Sequence, residues 1–331
     1  MKTIAFFNNK GGVGKTSLVY HVAWMLRELG HRVVVADLDP QANLTTFFLS
    51  DESVGNLFED TASNSTIFQA FRPILEGTGD LAPVNAYEAA TGLYLIPGDL
   101  ALSEAEDELS DRWSDCLNDN LTTKSRAFRT ECGFYRAIAR VAEERNADIA
   151  LIDVGPSLGS LNRAALISSD YVVIPLGSDA FSLQGVRNVG RRLQSWRSEW
   201  AKRRADAPQN LGFSIPLGGM EPIGYLLSRF SMRLGRQTQA YHKWASKMPT
   251  AYHEFVLGLG GEAPSAPAND SNCLAELKDY RSLMPMAQEA GKPMFKLTVA
   301  DGAIGAHQSG VKDAYNDFQK LAELILQKIG E

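Results

Sequence analysis

The stretch from Asn8 to Ser17 constrains the fold of this 331-residue chain more than any other segment. It reads Asn-Asn-Lys-Gly-Gly-Val-Gly-Lys-Thr-Ser and lies between an apolar run at residues 4–7 and a helical pattern that begins at Leu18. Glycines let the backbone of such a turn curl until its N–H groups converge, and the positive end of the following helix dipole adds to their attraction for anions. The segment therefore predicts a phosphate-binding turn between a first strand and a first helix.

The residue types within this turn predict nucleotide and metal chemistry. Lys15 can reach the outer phosphates of a nucleotide, and the Thr16 hydroxyl can ligate a magnesium ion. A glycine-rich turn that binds nothing would have no use for a lysine and a threonine at these fixed positions. The residues that we expect to contact the nucleotide are Gly11, Gly12, Val13, Gly14, Lys15, Thr16 and Ser17.

Two further apolar runs deliver aspartates. Residues 32–36 lead into Asp37 and Asp39, and residues 149–152 lead into Asp153. Carboxylates at the ends of strands beside a phosphate loop suit magnesium and water chemistry. Asp153 follows four apolar residues, as does the aspartate that holds the magnesium shell, commonly through water, in phosphoryl-transfer enzymes. A helix-capping role is the alternative for Asp37 alone.

The alternation of strand and helix patterns predicts an α/β fold, with a largely parallel, doubly wound sheet flanked by helices. Further predicted strands cover residues 93–97, 171–175, 222–227 and 293–298. Predicted helices cover residues 103–113, with Ser103 as the cap and Glu106 in the capping-box position, and residues 182–200, 233–246 and 311–329. We predict a single domain over residues 1–331, with insertions around residues 101–145 and 250–275.

The C-terminal helical pattern admits two uses, docking on the sheet or tethering to a membrane. Its polar face mixes acids with lysines and has no basic excess that would attract anionic lipid, so we favour docking. Its apolar stripe consists of Val311, Tyr315, Phe318, Leu321, Ala322 and Ile325.

Composition excludes several other classes of protein. Apolar residues make up 44% and charged residues 22% of the chain, as in ordinary globular proteins. No apolar run approaches the roughly 20 residues of a membrane span, and the N-terminus enters the first strand without a signal pattern. We therefore expect a cytoplasmic protein without stable membrane insertion. Its three cysteines are widely spaced and indicate neither a disulfide framework nor a zinc site.

The net charge of −6 conceals a basic segment. Between Val186 and Lys247, twelve lysines and arginines face three acids, so this segment carries a charge of +9. Clustered positive charge on an otherwise acidic chain indicates a localised face for a polyanion. For any single arginine of the cluster, an ordinary solvated helix face is the simpler interpretation.

Four segments together resemble ParA-like partition ATPases of the ParA/MinD superfamily across nearly the whole chain: residues 10–16, 37–43, 153–157 and 280–307. The strict P-loop pattern asks for glycine at Asn9, and a lysine, Lys10, stands ahead of the glycine pair instead. The form Lys-Gly-Gly-x-Gly-Lys-Thr resembles the deviant P-loop of that superfamily. The resemblance implies that Lys10 reaches the nucleotide of a partner subunit. It also implies that Asp39 helps position the metal and the attacking water.

By this resemblance, the catalytic residues are Lys10, Lys15 and Asp39, and the magnesium residues are Thr16, Asp39 and Asp153. The family mechanism implies an ATP-driven sandwich homodimer that binds non-specific DNA on the nucleoid. A ParB-like or other adaptor protein would stimulate its slow hydrolysis and reset the cycle. The predicted DNA-contacting residues are Arg229, Arg233, Arg236, Arg191 and Arg192.

Two rivals share the nucleotide motifs. A reductase that resembles the nitrogenase iron protein would need a cluster-binding cysteine soon after Asp153, and none of the three cysteines fits. A MinD-like positioning switch that acts on a membrane or a protein cargo without DNA remains the alternative.

Two features depart from the family pattern. The P-loop begins by residue 10, so we expect no N-terminal helix-turn-helix domain, and Gly155 stands where many relatives have proline.

Overall fold

The central strand is apolar at nearly every position because both of its faces are covered. The computed structural model describes residues 1–59, 65–228, 242–261, 263–280 and 282–331. In β1 (Lys2–Phe6), Ile4 and Phe6 face one core, whereas Ala5 and the following Phe7 face the other. Successive strand side chains point to opposite sides, so a continuous apolar run suits a strand that lies between two helical layers.

Within the described residues, one sheet of eight strands forms the middle layer. The remaining strands are β2 (Val33–Leu38), β3 (Tyr87–Ala90), β4 (Leu93–Ile96), β5 (Ile149–Val154), β6 (Tyr171–Gly177), β7 (Glu221–Ser228) and β8 (Cys273–Leu277). Their spatial order is β3-β4-β2-β5-β1-β6-β7-β8. Neighbouring strands pair in parallel, except that β3 runs antiparallel to β4 at one edge.

Helices cover both faces of the sheet. The helices are α1 (Lys15–Glu28), α2 (Asn43–Phe48), α3 (Asp51–Glu59), α4 (Ile67–Glu76), α5 (Ala105–Asp115), α6 (Leu121–Glu131), α7 (Gly133–Arg145), α8 (Ser160–Ile167), α9 (Ala180–Ala205), α10 (Met248–Ala251), α11 (Leu283–Ala290) and α12 (Ala306–Ile329). Helices α1, α2, α11 and α12 pack on one face, and α4 to α9 pack on the other. A π turn (Tyr252–Val256) continues directly from α10.

The strand order creates a crevice at the carboxyl end of β1. After β1 the chain proceeds through α1 to β2 on one side, and after β5 it proceeds through α8 to β6 on the other side. Ligands of open α/β sheets bind at such a reversal, outside the carboxyl ends of the strands. The predicted phosphate loop occupies this position.

The predicted α/β class and doubly wound sheet are confirmed. Predicted strands at residues 93–97, 171–175 and 222–227 are present as β4, β6 and β7, and the predicted helices at 182–200 and 311–329 are present as longer helices. Most of the helix predicted at residues 233–246 lies outside the described residues. Edge strand β3 was not predicted.

The strand predicted at residues 293–298 is wrong. Met294–Lys296 forms a 3-10 turn, and its apolar side chains are buried against α1 and α12 instead of in the sheet. The edge of the sheet is completed by β8, in which Leu274 and Leu277 are buried and the other three residues are only partly buried. A short edge strand with mixed exposure carries little periodic signal, whereas a buried apolar loop imitates a strand.

The predicted cap at Ser103 is also wrong. A 3-10 turn (Leu100–Glu104) precedes α5, and its cap is Asp99, whose carboxylate accepts a hydrogen bond from the N–H of Ala101 at 2.9 Å. The Glu106 carboxylate accepts hydrogen bonds from the N–H groups of Ser160 and Leu161 at 2.5 and 2.9 Å. It therefore caps α8, a different helix, rather than its own.

The C-terminal helix docks on the sheet, as predicted. On α12, Phe318, Leu321, Ala322 and Ile325 are buried in the core that covers α1 and the neighbouring strands. Tyr315, which was predicted in the same apolar stripe, is exposed instead. No helix among the described residues is both long and apolar enough to cross a bilayer.

A buried histidine joins α1 to the C-terminal segments. The Nδ1 of His21 donates to the Ser17 carbonyl at 2.7 Å, and its Nε2 accepts from the N–H of Met294 at 3.0 Å. The ring also stacks on Phe318, with 4.9 Å between centroids. Burial lowers the pKa of His21 to about 4, against the hydrogen bond to the Ser17 carbonyl. The neutral ring satisfies both of its nitrogens and a charged ring would not.

This histidine predicts acid sensitivity. Below pH 6.5 the unfolded ring takes up a proton that the folded ring refuses until about pH 4, so the free energy of unfolding falls as the pH falls through this window. The loss should be on the order of 3 kcal/mol at completion. Denaturant unfolding of wild type and His21→Gln between pH 8 and 4 tests this. The variant should be less stable at pH 8 and have a flatter profile, and parallel profiles would contradict the assignment.

Candidate nucleotide-binding site

The loop between β1 and α1 has the backbone of a phosphate cradle. Gly12 and Gly14 have φ of 74° and 77°, in the left-handed region that favours glycine. Gly14 caps α1 without a side-chain hydrogen bond, and the first turn of α1 has no acidic residue. The amide end of the helix is therefore left to attract an anion at the crevice.

Lys15 projects from this loop toward β5. Its side chain is buried, and its ammonium donates a hydrogen bond to the carbonyl of Val154, the residue after Asp153. The same ammonium favours the charged form of Asp153. Lys15 thus lies between the phosphate loop and the end of the second predicted carboxylate strand, within reach of both.

Asp37 and Asp153 are direct neighbours across the β2–β5 pair and are both fully buried. Burial and the charge of Asp153 raise the pKa of Asp37 to about 7, and burial raises the pKa of Asp153 to about 6 despite the nearby Lys15 and Thr16. Two carboxylates in a dry site repel each other when both ionise. A cation at this point would relieve that repulsion.

The two carboxylates differ in their partners. Asp37 accepts hydrogen bonds from the N–H and the hydroxyl of Thr45, each at 2.8 Å, and so anchors the start of α2. Both carboxylate oxygens of Asp153 are buried without a hydrogen-bond partner of standard geometry. Unpartnered buried carboxylate oxygens beside a threonine hydroxyl fit a magnesium ion or its water shell. The two hydrogen bonds from Thr45 agree with the capping role that was the alternative for Asp37.

Asp39 faces the segment after β5. Its carboxylate accepts a hydrogen bond from the N–H of Gln41 at 3.0 Å. A Cβ at Gly155 would lie 3.2 Å from a carboxylate oxygen of Asp39, so glycine allows this close approach. The Asn162 amide holds the same segment by donating to the carbonyls of Gly155 and Ser157 at 2.7 and 2.8 Å.

Lys10 lies on the outer side of the loop and away from Lys15. Its ammonium pairs with the carboxylate of Asp179 and lies 3.4 Å from the hydroxyl of Ser182, both at the start of α9. Asp179 also caps α9 through the N–H of Ser182 at 3.0 Å. The structure thus places the two predicted lysines on opposite sides of the loop.

A cavity of about 240 Å³ adjoins the loop on the side of α11 and α12. Its walls are mostly apolar, and sequence reasoning did not identify them as part of a site. One signal for this cavity was available, because residues 280–307, one of the segments that resemble ParA-like proteins, supply part of its wall. The apolar lining consists of Val13, Leu18, Leu277, Met284, Met294 and Phe318.

No group of three or more histidine, cysteine, aspartate or glutamate side chains in the described ranges could hold a metal by itself. A magnesium ion at Asp153 would therefore need the Thr16 hydroxyl, water and a ligand oxygen to complete its shell. Mg²⁺ commonly keeps several waters and one or two carboxylates in this way.

The basic segment divides into exposed and structural cations. Arg191 and Arg192 are exposed on α9, as a DNA-contacting role would require. Arg203, in contrast, is buried, stacks on Trp113 and donates to its carbonyl at 2.8 Å, so it supports the core. The predicted DNA-contacting residues Arg229, Arg233 and Arg236 lie outside the described residues.

Comparisons with known proteins agree on one family. A family model described as an AAA domain matches residues 1–203. Protein IncC of Escherichia coli is 33% identical over 202 residues, which are 61% of this chain and 48% of IncC. The sporulation initiation inhibitor protein Soj of Bacillus subtilis is 32% identical over 188 residues, 57% of this chain and 63% of Soj. The chain thus spans about half to two thirds of these relatives.

Solved structures share the fold along the whole chain. Protein DIP2308 from Corynebacterium diphtheriae has a TM-score of 0.70 at 24% identity and covers 99% of this chain and 98% of its own. A putative plasmid partition protein from Borrelia burgdorferi, bound to AMPPNP, has a TM-score of 0.57 at 18% identity, with 99% and 98% covered. The family model covers more than half of the chain, and together with these relatives it shows that the chain belongs to the ParA/MinD superfamily.

Proposed function

We propose that this protein is a ParA-like ATPase that binds Mg-ATP, dimerises around it and hydrolyses it slowly. The observation that carries the proposal is the pair of buried oxygens of Asp153, which have no hydrogen-bond partner of standard geometry and lie beside Lys15 and Thr16. Thr16 and Asp153 would hold magnesium, directly or through water, with Asp39 close by. When bound, magnesium would neutralise charge on the phosphates during phosphoryl transfer.

The chain's own groups would do the rest by position and charge. The N–H groups of residues 11–17 would donate to the phosphates, and the Lys15 ammonium would exchange the Val154 carbonyl for a phosphate oxygen. The Asp39 carboxylate would accept a hydrogen bond from the attacking water. The base would enter the apolar cavity beside Val13 and Met284, where stacking and burial replace specific hydrogen bonds.

The position of Lys10 supports a shared site. Its ammonium points away from its own loop toward Asp179 at the surface of the subunit, with the lysine side chain 32% exposed. A lysine that served its own nucleotide would be expected on the inner side, where Lys15 lies. A second subunit that presented its nucleotide to this edge would give Lys10 a phosphate in exchange for Asp179.

We further propose that the dimer binds DNA through the basic segment, that an adaptor protein of the ParB type stimulates hydrolysis, and that the protein works on the nucleoid in the cytoplasm. Exposed arginines on α9 support phosphate contacts that do not read the bases. The docked α12 gives no support to a MinD-like membrane tether, since its apolar stripe is used inside the fold.

The dimer test compares Lys10→Ala, Asp39→Ala and wild type at saturating ATP, by size-exclusion chromatography with light scattering. Lys10→Ala should bind ATP as a monomer yet dimerise at least about tenfold more weakly, because a charged contact across the interface is lost. Asp39→Ala should accumulate as the dimer because ATP hydrolysis no longer leads to its dissociation. A monomeric Asp39→Ala protein at saturating ATP would contradict ATP-driven dimerisation.

The metal assignment has a consequence for stability. The raised pKa of Asp153 means that its charge costs stability above about pH 6, and that the cost fades as the pH falls toward 3.8. Without magnesium, Asp153→Asn should therefore unfold at higher denaturant than wild type at pH 8, by on the order of 2 kcal/mol, with the difference shrinking by pH 4. Magnesium with ATP should stabilise wild type only. A variant less stable than wild type at pH 8 would contradict the assignment.

The DNA test reverses charge on the exposed arginines. Arg191→Glu with Arg192→Glu should abolish ATP-dependent retention on random duplex DNA and flatten its salt dependence, since each lost phosphate contact lowers the log–log slope by about 0.9. Charge reversal at Arg233 and Arg236 should have the same effect. Lys320→Glu, on the solvent-exposed face of α12, is the control and should bind normally. Unchanged retention by the arginine variants would count against DNA binding here.

A further inference from the structure

One arginine pair on α9 is supported by a segment that the nucleotide cycle does not use. Arg187 and Arg191 are exposed, one helical turn apart, and share a face of α9. The Phe255 ring lies under both guanidinium groups, at 4.9 Å from Arg187 and 6.0 Å from Arg191. Phe255 belongs to the π turn (Tyr252–Val256), in the predicted insertion around residues 250–275.

Two features of α9 hold the Phe255 carbonyl of the π turn close to the helix. A Cβ at Gly190 would lie 2.1 Å from the Phe255 carbonyl oxygen, so only glycine lets the turn come this close. The Gln194 amide donates to the same carbonyl at 3.1 Å. Turns of π helix are rare and frequently mark functional sites. On α9, Gly190 lies between the two arginines and Gln194 lies one turn after them. The docked π turn therefore holds the Phe255 ring beside the arginine side chains.

The arginine pair carries uncompensated charge. Among the described residues, no carboxylate lies within ion-pair distance of Arg187 or Arg191. Stacking on an aromatic ring restrains a guanidinium without neutralising it. Two restrained, unpaired guanidiniums suit an anion that offers adjacent phosphates.

We propose that Phe255 is a positioning residue that orders Arg187 and Arg191 as a phosphate clamp for the backbone of DNA. This inference rests on the proposed DNA binding and goes beyond it by adding Arg187 and the supporting ring of Phe255 to the phosphate contact already proposed for Arg191. The exposed face around the pair offers Gln184, Gln194 and Ser198, which are polar. A membrane-binding face would need several large apolar residues, and α9 exposes a single one, Phe181, at its first turn, so the observations favour DNA over anionic lipid.

The experiment measures retention of the full-length protein on random duplex DNA with ATP, over a range of salt. Phe255→Leu keeps an apolar group but loses the ring, and should weaken binding about two- to fivefold, the size of an exposed cation–π contact. Phe255→Tyr keeps an aromatic ring and should bind DNA as wild type does. Phe213→Leu is the matched control, because Phe213 lies 4.3 Å from Arg136 on another surface and its loss should leave DNA binding unchanged.

A double-mutant cycle separates positioning from folding. Arg187→Lys keeps the charge and loses the planar group that stacks on Phe255, so it should weaken binding in wild type and weaken it less in the Phe255→Leu background, where only the phosphate contact remains to be lost. Additive losses would overturn the clamp, as would equal binding by Phe255→Leu and wild type, or failure of Phe255→Tyr to rescue. These results leave the proposed function standing, provided that wild type binds DNA. Absence of wild-type binding to DNA, or binding only to phosphatidylglycerol vesicles, would overturn both.

Discussion

Two carboxylates held out of water at the ends of adjacent strands are the constraint on which the rest of this structure depends. Asp37 and Asp153 are register partners. Burial raises the pKa of both carboxyls, and the charge of Asp153 raises the pKa of Asp37 further. Thr45 offsets the cost at Asp37 with two hydrogen bonds, and Lys15 offsets it at Asp153 with charge. Ionising both buried carboxyls therefore costs the fold stability, and a bound cation would remove that cost. Perturbed carboxyl pKa values of this kind are typical of functional sites.

The helical layer on one face controls the segment that follows this pair. Glu106 of α5 caps α8, and a Cβ at Gly159 would lie 2.3 Å from its carboxylate, so the contact is built on a glycine. A buried cluster joins the same helices, in which Arg163 of α8 stacks on Trp113 and pairs with Glu131 at 3.3 Å. Because Asn162 of α8 donates to the carbonyls of Gly155 and Ser157, α8 is joined by hydrogen bonds to the segment beside Asp39. The helices at residues 101–145 thus support this segment through their contacts with α8.

Sequence patterns predicted what depends on local chemistry. The phosphate loop, the aspartates after β2 and β5, and the central strands follow from residue types at fixed spacing, and the structure brings Lys15, Thr16 and Asp153 together. Patterns could not predict what depends on tertiary neighbours. Nothing in the sequence around Glu106 indicates that it caps α8, and Arg203 looks like any other surface cation although Trp113 covers it. The late strand was misplaced because burial, not pairing, made residues 293–298 apolar.

The ion pair between Lys10 and Asp179 bears on how two copies of this surface could approach each other. In a two-fold arrangement each copy would bring its own exposed lysine to the seam, and two bare ammonium groups would repel as the subunits closed. Here each lysine arrives already neutralised by a carboxylate of its own chain. In the proposed dimer, these lysines would then neither attract nor repel each other on encounter, and attraction would begin only when a nucleotide offered each lysine more negative charge than Asp179 does. The loop would distinguish an empty partner from a loaded one by a competition between anions.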